Sequence, residues 1–237
     1  MLKLSIVIPV FNEINCLEQF TQKICRTFKD EIVEYIFIDD GSYDGSSDWL
    51  INFCNNKLNT NCKLISLKNN AGKGNAFHQG IKIANGQYVL FQDADLELDT
   101  NDSLEMLKII SNDTNMNCLF GSRYLSGKLK NNSYLYEFVG KFNSLLFNIL
   151  FKESLSDLHC GTKVISKKVL KSLNLTIKDF GVEIDIAAQI SKKNYEIQEY
   201  AISYFPRTKK EGKKITWIDG LKSYFYLFKL RFIQKNN

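Results

Sequence analysis

Two aspartates, Asp93 and Asp95, stand one residue apart directly after the apolar run at residues 88–91. Such a short apolar run predicts a buried strand, and side chains two positions apart in an extended chain point the same way. Both carboxylates can therefore converge on one point, where paired oxygen ligands suit a divalent cation such as Mg²⁺ or Mn²⁺. Glu97, two residues further on, is either a third ligand or a solvated loop acid. Because two acids at this spacing are common by chance, their meaning depends on the elements that position them.

Three apolar runs precede this pair, at residues 4–10, 34–39 and 62–67, and each ends in a polar cluster. The segments between them carry apolar residues at helical spacing, so strands and helices alternate. This alternation predicts an α/β fold with a mostly parallel, doubly wound central sheet. Ligands of such sheets bind beyond the carboxyl ends of the strands, which is where the polar clusters lie. This convergence is the main sequence argument for an active site.

The polar clusters after the first two runs have the chemistry of a nucleotide site. Pro9, Phe11 and Glu13 surround the end of the first run, where a nucleotide can stack. Asp39 ends the second run and Asp40 follows it, at a point where a carboxylate can accept hydrogen bonds from a ribose or a base. An acidic turn that caps the next helix is the alternative interpretation of these aspartates.

A glycine-punctuated turn at residues 70–75 follows the third run and contains Lys73. Backbone N–H groups beside a helix N-terminus, together with a lysine, form a natural anion site. The GxxxxGK[ST] spacing of a P-loop is missing from the turn. Taken singly, its glycines are better explained as turn residues than as ligand contacts.

The second half of the chain has a different character. Residues 118–124 predict a short strand that ends in Arg123, and apolar residues recur at helical spacing between positions 138 and 150. That helix either packs into the core or lies at an interface where it receives a lipid. Glu183 and Asp185 open a later helix, as candidate general bases or as ordinary acids of a first turn.

A chain of 237 residues with 44% hydrophobic residues can bury one sizeable core, which predicts one compact domain. Its six cysteines form no CxxC pair, which predicts free thiols in a reducing compartment rather than a disulfide framework or a zinc site. No signal peptide is visible, and no uncharged run approaches the roughly 20 residues that a spanning helix needs. We therefore expect that the chain is not integral to a membrane.

The net charge of +5 is modest but is concentrated near the C-terminus. Residues 203–237 contain nine Lys and Arg against two acids, a balance of +7, which leaves the rest slightly acidic. A basic tail indicates phosphates, an anionic bilayer or nucleic acid as a partner, and the paired carboxylates argue against nucleic acid. From Trp217 onward aromatic and basic residues are interspersed, as in an interfacial membrane anchor, with a packed terminal helix as the alternative.

Taken together and in this order, the motifs of the first hundred residues resemble the family 2 glycosyltransferases of GT-A fold. The matching segments are residues 5–13, 39–46, 70–75 and 93–95. As a combination they are highly specific, because four separate motifs occur in the family's order.

The second half is similar, more narrowly, to the polyprenyl-phosphate branch of that family, typified by dolichyl-phosphate mannose and glucose synthases. This similarity rests on the amphipathic helix and on residues 121–124, 157–163 and 206–214. The chain departs from the branch at two places. The family often has Gly-Phe-Arg or Gly-Phe-Lys where this chain has Gly-Thr-Lys at 161–163, and often has Gln where Glu97 stands.

The resemblance implies an inverting, metal-dependent enzyme that transfers a hexose from a UDP- or GDP-sugar. Mg²⁺ or Mn²⁺ would bridge Asp93, Asp95 and the donor diphosphate, with Glu97 as a third ligand. Asp95 and Arg207 would act in catalysis, and Arg207 would close over the phosphates with Lys213 or Lys214. The residues in contact with the donor nucleotide would be Pro9, Phe11, Glu13, Asp39, Asp40, Lys73 and also Asp93.

The acceptor that the resemblance implies is a polyprenyl phosphate, whose oxygen is already anionic at neutral pH and needs no general base. Its phosphate would be held by Arg123, Lys163, Arg207 and Lys213. The alternative acceptor is a glycan hydroxyl in capsule or lipopolysaccharide assembly. A hydroxyl requires a base, for which Glu183 or Asp185 is the candidate.

The resemblance also implies an organisation and a location for the chain. One GT-A domain, residues 1–237, comprises a nucleotide-sugar half (1–99), an acceptor half (100–215) and a basic aromatic C-terminal helix (216–237). The expected location is the cytoplasmic face of a membrane, in peripheral contact with it. A membrane partner subunit is a further expectation that the sequence leaves open.

Overall fold

The computed structural model describes residues 3–56, 61–125, 134–207 and 217–233. The strands are β1 (Leu4–Val10), β2 (Val33–Asp39), β3 (Cys62–Ser66), β4 (Tyr88–Phe91), β5 (Cys118–Ser122), β6 (Lys163–Ser166) and β7 (Gln198–Ala201). The helices are α1 (Ile14–Thr27), α2 (Ser46–Asn55), α3 (Lys73–Ile83), α4 (Thr100–Asn112), α5 (Tyr134–Phe151), α6 (Lys167–Ser172), α7 (Val182–Lys192) and α8 (Trp217–Phe228). A π-helical segment, Lys229–Ile233, continues α8.

The strands form one sheet in the order β3-β2-β1-β4-β6-β5-β7. Strands β1, β2, β3 and β4 are parallel to their neighbours within this group, and β5 is parallel to β7. Strand β6 is antiparallel to both β4 and β5. The prediction of an α/β fold with a mostly parallel sheet is confirmed, and the four predicted strands of the first half agree with the observed ones to within one residue.

The sheet is buried on both faces, which explains why its first strands are continuous apolar runs rather than alternating ones. On one face, helices α1 and α4 pack side chains such as Leu17, Phe20 and Met106. On the other face, α3, α5 and α7 pack side chains such as Phe77, Phe147 and Ile184. Two apolar layers therefore hold the strand ends in place, so the loops beyond them rest on a rigid frame.

Helix α5 is apolar on both of its faces. Its inner face buries Phe147 and Phe151 in the core, while Phe138 and Ile149 on the outer face are each 68% exposed. Core packing, one of the two interpretations of this helix from the sequence, is therefore observed for its inner face, while an interface on its exposed outer face stays a prediction. Among the described residues, none of the helices combines the length and the apolar character needed to cross a bilayer.

All six cysteines are free thiols, as predicted. Cys118 and Cys160 are buried, and burial raises the pKa of each thiol to about 12. The buried pair is therefore protonated at neutral pH and packs as small apolar side chains. The reducing compartment inferred from these thiols stays a prediction.

Candidate active site

Three loops meet at the carboxyl edge of the parallel strands. Strand β1 lies between β2 and β4, so the loops that follow these strands are neighbours. They contain Glu13 after β1, Asp40 after β2, and Asp93 with Asp95 after β4. The structure therefore brings the side chains predicted for the nucleotide and the metal to one edge of the sheet, as the parallel topology requires.

Asp40 holds the glycine-punctuated turn that leads into α3. Its two carboxylate oxygens accept hydrogen bonds from the backbone N–H groups of Ala71 at 2.8 Å and Gly72 at 2.9 Å. Burial raises the pKa of Asp40, and the two N–H groups oppose that rise. Gly72 has φ 95°, a conformation that favours glycine. Asp40 thus shapes the turn, and its contact with a nucleotide stays a prediction.

The other residues predicted for the nucleotide lie beside this turn. Asp39 is buried and accepts a hydrogen bond from the backbone N–H of Ser42 at 3.0 Å, and Pro9 lies within β1. Phe11 packs edge-on against Tyr43, with ring centroids 6.0 Å apart. Tyr43 is 84% exposed at this edge, yet sequence reasoning did not single it out. The available signal was a lone aromatic residue in a turn of small polar residues.

Arg207 lies among three carboxylates that come from two different loops. It donates from Nη1 to Glu13 Oε2 at 2.8 Å and from Nη2 to Asp95 Oδ2 at 3.1 Å. Its backbone N–H donates to Glu97 Oε1 at 2.9 Å. Burial alone lowers the pKa of Arg207, but the carboxylates more than offset it, so the net pKa is raised. These three residues and Asp93, whose charge acts on Asp95, form the carboxylate cluster, and the structure brings Arg207 to it from more than 100 positions away.

Asp95 lies close to two other carboxylates, those of Asp93 and Glu97. Burial, followed by the charges of Asp93 and Glu97, raises the pKa of Asp95 to about 7, although Arg207 opposes the rise. Its Oδ1 accepts a hydrogen bond from the backbone N–H of Glu97 at 3.1 Å. A positive charge placed beside such a carboxylate stabilises its ionised form, so these surroundings favour the binding of a cation.

Asp93 and Asp95 fit a divalent cation such as Mg²⁺ or Mn²⁺. They offer hard oxygen ligands at one strand end, and each is already paired with a cation, Lys73 on Asp93 and Arg207 on Asp95. Within the described ranges, no three His, Cys, Asp or Glu side chains are grouped so that they can hold a metal. Two carboxylates are sufficient for Mg²⁺, because its other ligands are commonly water and phosphate. Glu97 as a third ligand stays a prediction.

Both residues predicted as candidate bases are buried and engaged. Burial raises the pKa of Glu183, but the ammonium groups of Lys163 and Lys73 outweigh it, and the net pKa is lowered. Asp185 accepts hydrogen bonds from two backbone N–H groups of the preceding loop and from a side chain of its own helix. A lowered pKa makes a carboxylate a weaker base, so this arrangement does not favour Glu183 in that role.

Lys163, predicted for the acceptor phosphate, is fully buried. It donates to Glu183 Oε2 at 2.5 Å and to the backbone oxygen of Cys160. The structure therefore places it in the interior rather than on an open surface, and its contact with a phosphate stays a prediction. Lys213 and Lys214 lie outside the described residues.

Arg123, another residue predicted for the acceptor phosphate, forms a bidentate pair with Asp157. Its Nε donates to Asp157 Oδ2 at 2.7 Å and its Nη2 donates to Asp157 Oδ1 at 2.8 Å. The guanidinium also lies over the ring of Tyr204, 5.2 Å from its centroid. Tyr204 pairs through its backbone with Leu98, next to Glu97, so Arg123 lies close to the carboxylate cluster. Sequence reasoning named the turn that contains Asp157 but not this pairing.

Gly161 passes so close to the cluster that a side chain there meets Asp93. A Cβ atom at this position would overlap Asp93 Oδ2 and would lie 3.1 Å from Lys73 Nζ. We expect Gly161→Ala to displace the Asp93 carboxylate and to lower kcat/KM for the reaction at this site about 100-fold, because misplacement by about 1 Å has an effect of that size.

The matched control for this glycine is Gly220→Ala, where the added Cβ is 3.7 Å from its nearest neighbour, Val139 Cγ1. Its activity should stay within about twofold of the unmodified protein, since ordinary surface substitutions change little. Steady-state kinetics on both variants checks the expectation. An unchanged kcat/KM in Gly161→Ala would show that the approach to Asp93 is not critical.

Comparison with known sequences identifies the family. Residues 5–173, more than two thirds of the chain, match the family described as Glycosyl transferase family 2. The chain belongs to Glycosyl transferase family 2. The resemblance seen in the sequence is thereby confirmed, and the protein is a glycosyltransferase.

Curated relatives of this family 2 glycosyltransferase include dolichyl-phosphate beta-glucosyltransferases. The one from Dictyostelium discoideum is 26% identical over 226 residues, covering 90% of this chain and 68% of the relative. The one from Homo sapiens is 28% identical over 253 residues, covering 98% of this chain and 76% of the relative.

Solved structures similar to this glycosyltransferase confirm the GT-A fold. Glucosyl-3-phosphoglycerate synthase from Mycobacterium tuberculosis, in complex with Mn²⁺, UDP and glucosyl-3-phosphoglycerate, has a TM-score of 0.74 at 17% identity, covering 99% of this chain and 81% of that one. The same enzyme with Mn²⁺, UDP-glucose and glycerol 3-phosphate has a TM-score of 0.74 at 18% identity, covering 99% and 82%.

Proposed function

We propose that this glycosyltransferase transfers glucose from UDP-glucose to a polyprenyl phosphate. The main support is the similarity to dolichyl-phosphate beta-glucosyltransferases, which extends over 98% of the chain for the human relative. The structures of similar fold that hold Mn²⁺ with UDP or UDP-glucose support the choice of donor and metal. The proposal is narrower than the expectation from the sequence, which left both the sugar and the nucleotide base open.

The state of the candidate bases supports a phosphate acceptor over a hydroxyl. A sugar hydroxyl must lose a proton as it attacks, and this requires a positioned base. Glu183 is held by two ammonium groups, and Asp185 is completely buried. A phosphate oxygen is already anionic at neutral pH, so the transfer that we propose proceeds with neither carboxylate acting as a base.

In the proposed reaction, an anionic oxygen of the acceptor phosphate attacks the anomeric carbon of glucose from the face opposite the diphosphate. A new carbon–oxygen bond forms while the bond to the β-phosphate oxygen breaks, and UDP leaves with that electron pair. No proton is transferred. Because the glucose of UDP-glucose is α-linked, this attack gives a β-linked product, in agreement with the names of the curated relatives.

The roles of the side chains follow from the charge that builds on the leaving UDP. Asp93 and Asp95 would hold Mg²⁺ or Mn²⁺, which when bound neutralises charge on the diphosphate. Arg207 would exchange its carboxylate partners for diphosphate oxygens, and Lys73 would add a second cation. Arg123, fixed by Asp157, would attract the acceptor phosphate from the other side of the cluster.

We further propose that the outer faces of α5 and α8 contact an anionic bilayer. On α5, Phe138 and Ile149 are each 68% exposed, and on α8 and its extension Phe225 is 61% and Phe232 is 68% exposed. Each of the two helices carries one lysine near these apolar groups in the sequence, and the extension of α8 adds a lysine and Arg231. Aromatic groups with flanking cations are typical of interfacial helices. This contact would bring the site to the membrane in which a polyprenyl phosphate is dissolved.

We expect a double variant, Phe138→Ser with Phe225→Ser, to lose binding to liposomes. Burial of one phenylalanine side chain contributes about 1.5–3 kcal/mol, so losing two lowers the partition coefficient by at least about 100-fold. Flotation with vesicles that contain anionic lipid measures the effect. Ile32→Ser is the control, because Ile32 is 61% exposed but precedes β2, outside α5 and α8. Equal flotation of all three proteins would contradict the contact.

The proposed function is tested by a transfer assay with radiolabelled donors. UDP-glucose is compared with GDP-mannose and other UDP- and GDP-sugars, using a short polyprenyl phosphate, Mn²⁺ and organic extraction. Label from UDP-glucose in the organic phase is the expected result. Hydrolysis of the donor without label in that phase would overturn the lipid acceptor and favour a glycan hydroxyl. Transfer from a different donor would overturn the sugar assignment.

A further inference from the structure

A line of alternating charges runs from the carboxylate cluster into the interior of the protein. Lys73 Nζ lies 2.8 Å from Asp93 Oδ1 and 3.0 Å from Glu183 Oε1. Behind them, Lys163 Nζ donates to Glu183 Oε2 at 2.5 Å. The exposed fraction of the side chains falls along this line from 23% at Asp93 to 0% at Lys163. One ammonium, that of Lys73, thus stands between two carboxylates.

Lys73 makes its better contact with Asp93. Its Nζ donates an aligned hydrogen bond to Asp93 Oδ2 at 2.9 Å. The contact with Glu183 Oε1 is an ion pair without hydrogen-bond alignment, and that oxygen is buried with no hydrogen-bond partner among the described residues. An ammonium at 3.0 Å already offsets part of the cost of burying this oxygen, and a better-aligned ammonium would offset more of it. A small movement of the Lys73 ammonium toward Glu183 Oε1 would therefore form a well-aligned hydrogen bond.

The other oxygen of Glu183, Oε2, is held in place, which fixes the orientation of the carboxylate. Lys163 holds Oε2, and Lys163 is itself fixed by the backbone oxygen of Cys160. Lys163 has no exposed surface, so this pair is shielded from solvent. Oε1 is thereby kept pointing at Lys73.

We propose that Glu183 is the alternative partner of the Lys73 ammonium, used when Asp93 binds the metal and the donor diphosphate. A divalent cation on Asp93 repels the Lys73 ammonium, which must then find another anion or leave the site. Glu183 lies close enough to receive it by a small movement, so Lys73 stays beside the diphosphate. Glu183 and Lys163 are then positioning residues. This role rests on the proposed metal-dependent transfer, and it reassigns two residues that the sequence resemblance linked to base catalysis and to the acceptor.

The test measures Mn²⁺ affinity without any donor, by the electron paramagnetic resonance signal of free Mn²⁺. In Glu183→Gln, Lys73 has no second carboxylate and holds Asp93 more firmly, so Mn²⁺ affinity is expected to fall about tenfold, or roughly 1.4 kcal/mol. Adding Lys73→Met to that variant removes the competing ammonium and is expected to restore Mn²⁺ affinity at least to that of the unmodified protein. A merely structural loss would not be reversed by a second substitution.

Thermal unfolding of each variant verifies the fold. Where Glu183→Gln does not fold, Lys163→Met/Glu183→Gln takes its place, because it removes one buried charge of each sign; the same expectation and the same Lys73→Met rescue apply. Glu34→Gln is the matched control, since Glu34 is also a buried carboxylate, paired with Lys63 at 2.5 Å outside the cluster. It should lower the unfolding temperature and leave Mn²⁺ affinity unchanged.

Three outcomes would overturn the inference: unchanged Mn²⁺ affinity in Glu183→Gln, a loss that Lys73→Met does not reverse, or no Mn²⁺ binding by the unmodified protein. The proposed donor and acceptor are tested separately. If the expected Mn²⁺ pattern appears but no sugar is transferred to polyprenyl phosphate, the reaction assignment fails while the role of Glu183 stands.

Discussion

Replacing Asp95 with asparagine is expected to lower sugar transfer at least about 10³-fold without weakening the fold. Asparagine keeps the shape of the side chain but loses the charge that would hold a metal and face Arg207. Loss of one preorganised electrostatic group in an active site commonly lowers the rate by about 10²–10³, and loss of a metal adds to this. Transfer kinetics at saturating Mn²⁺ gives the measurement.

The stability of the same variant is expected to be equal or higher at neutral pH. The pKa of Asp95 is raised to about 7, so its ionised form is disfavoured in the folded protein. Below the ordinary pKa of aspartate, Asp95 is protonated in both the folded and the unfolded protein and does not lower stability. As the pH rises toward 7, the unfolded chain loses this proton first, so the free energy of unfolding falls. An asparagine side chain does not ionise and would not suffer that loss, so the advantage of Asp95→Asn in unfolding temperature should appear at pH 8 and vanish at pH 4.

The matched control is Asp99→Asn, a few residues further along the chain. Asp99 caps α4 by accepting from the backbone N–H of Asn101, and this bond with the nearby Lys23 outweighs burial and lowers its pKa. Its contribution therefore has the opposite sign: it is present at neutral pH and is lost on acidification. Asparagine caps a helix about as well as aspartate, so we expect Asp99→Asn to lose only the contribution of the charge, about 0.3–1 kcal/mol of stability, and to keep its activity. Full activity of Asp95→Asn would remove Asp95 from the mechanism.

Replacing Arg207 with alanine is expected to impair both activity and stability. Glu13, Asp95 and Glu97 lose their shared cation, and like charges that lie close together then repel each other in a partly buried site. In the proposed reaction the leaving diphosphate loses a partner as well, which should lower kcat/KM about 10²–10³-fold. The measurements are thermal unfolding in the absence of ligand and steady-state kinetics.

A second substitution, Arg207→Lys, separates charge from geometry. Lysine restores a positive charge but not the planar fork that meets Glu13 and Asp95 together, so stability should recover more than activity. Lys108→Ala is the control, because it breaks an exposed ion pair with Glu105 and should change neither quantity measurably. If Arg207→Ala kept full activity, the exchange of Arg207 between carboxylates and diphosphate would be wrong.

Much of the frame was predictable because its signals are local. The apolar runs at 4–10 and 88–91 predict buried strands from local sequence alone. Asp93 and Asp95, which follow the run at 88–91, must therefore lie at a strand end. Because strands and helices alternate and the strands are parallel, their carboxyl ends lie at one edge of the sheet. The location of the site at one edge of the sheet followed from the sequence for this reason.

The contacts made across the chain were not predictable in the same way. Arg123 meets Asp157 and Lys163 meets Glu183 over separations of 34 and 20 residues, and no local pattern encodes such pairs. Glu183 illustrates the consequence. Its position at the start of a helix permits a base or a first-turn acid, and only its ion pairs with Lys73 and Lys163 show that its charge is already compensated.

The reversed direction of β6 has a consequence for how this enzyme can change. A parallel strand sends the loop that follows it to the catalytic edge, but an antiparallel strand sends the loop that precedes it. The segment ahead of β6, which includes Gly161, therefore reaches Asp93 from the second half of the chain. In the proposed reaction, substitutions in this segment would change the surroundings of the sugar while strands β1 and β2, beside which the nucleotide is predicted to bind, stay unaltered. Under that proposal, enzymes of this family could gain new acceptors through changes in a single connection, without changes to the loops predicted to bind the donor.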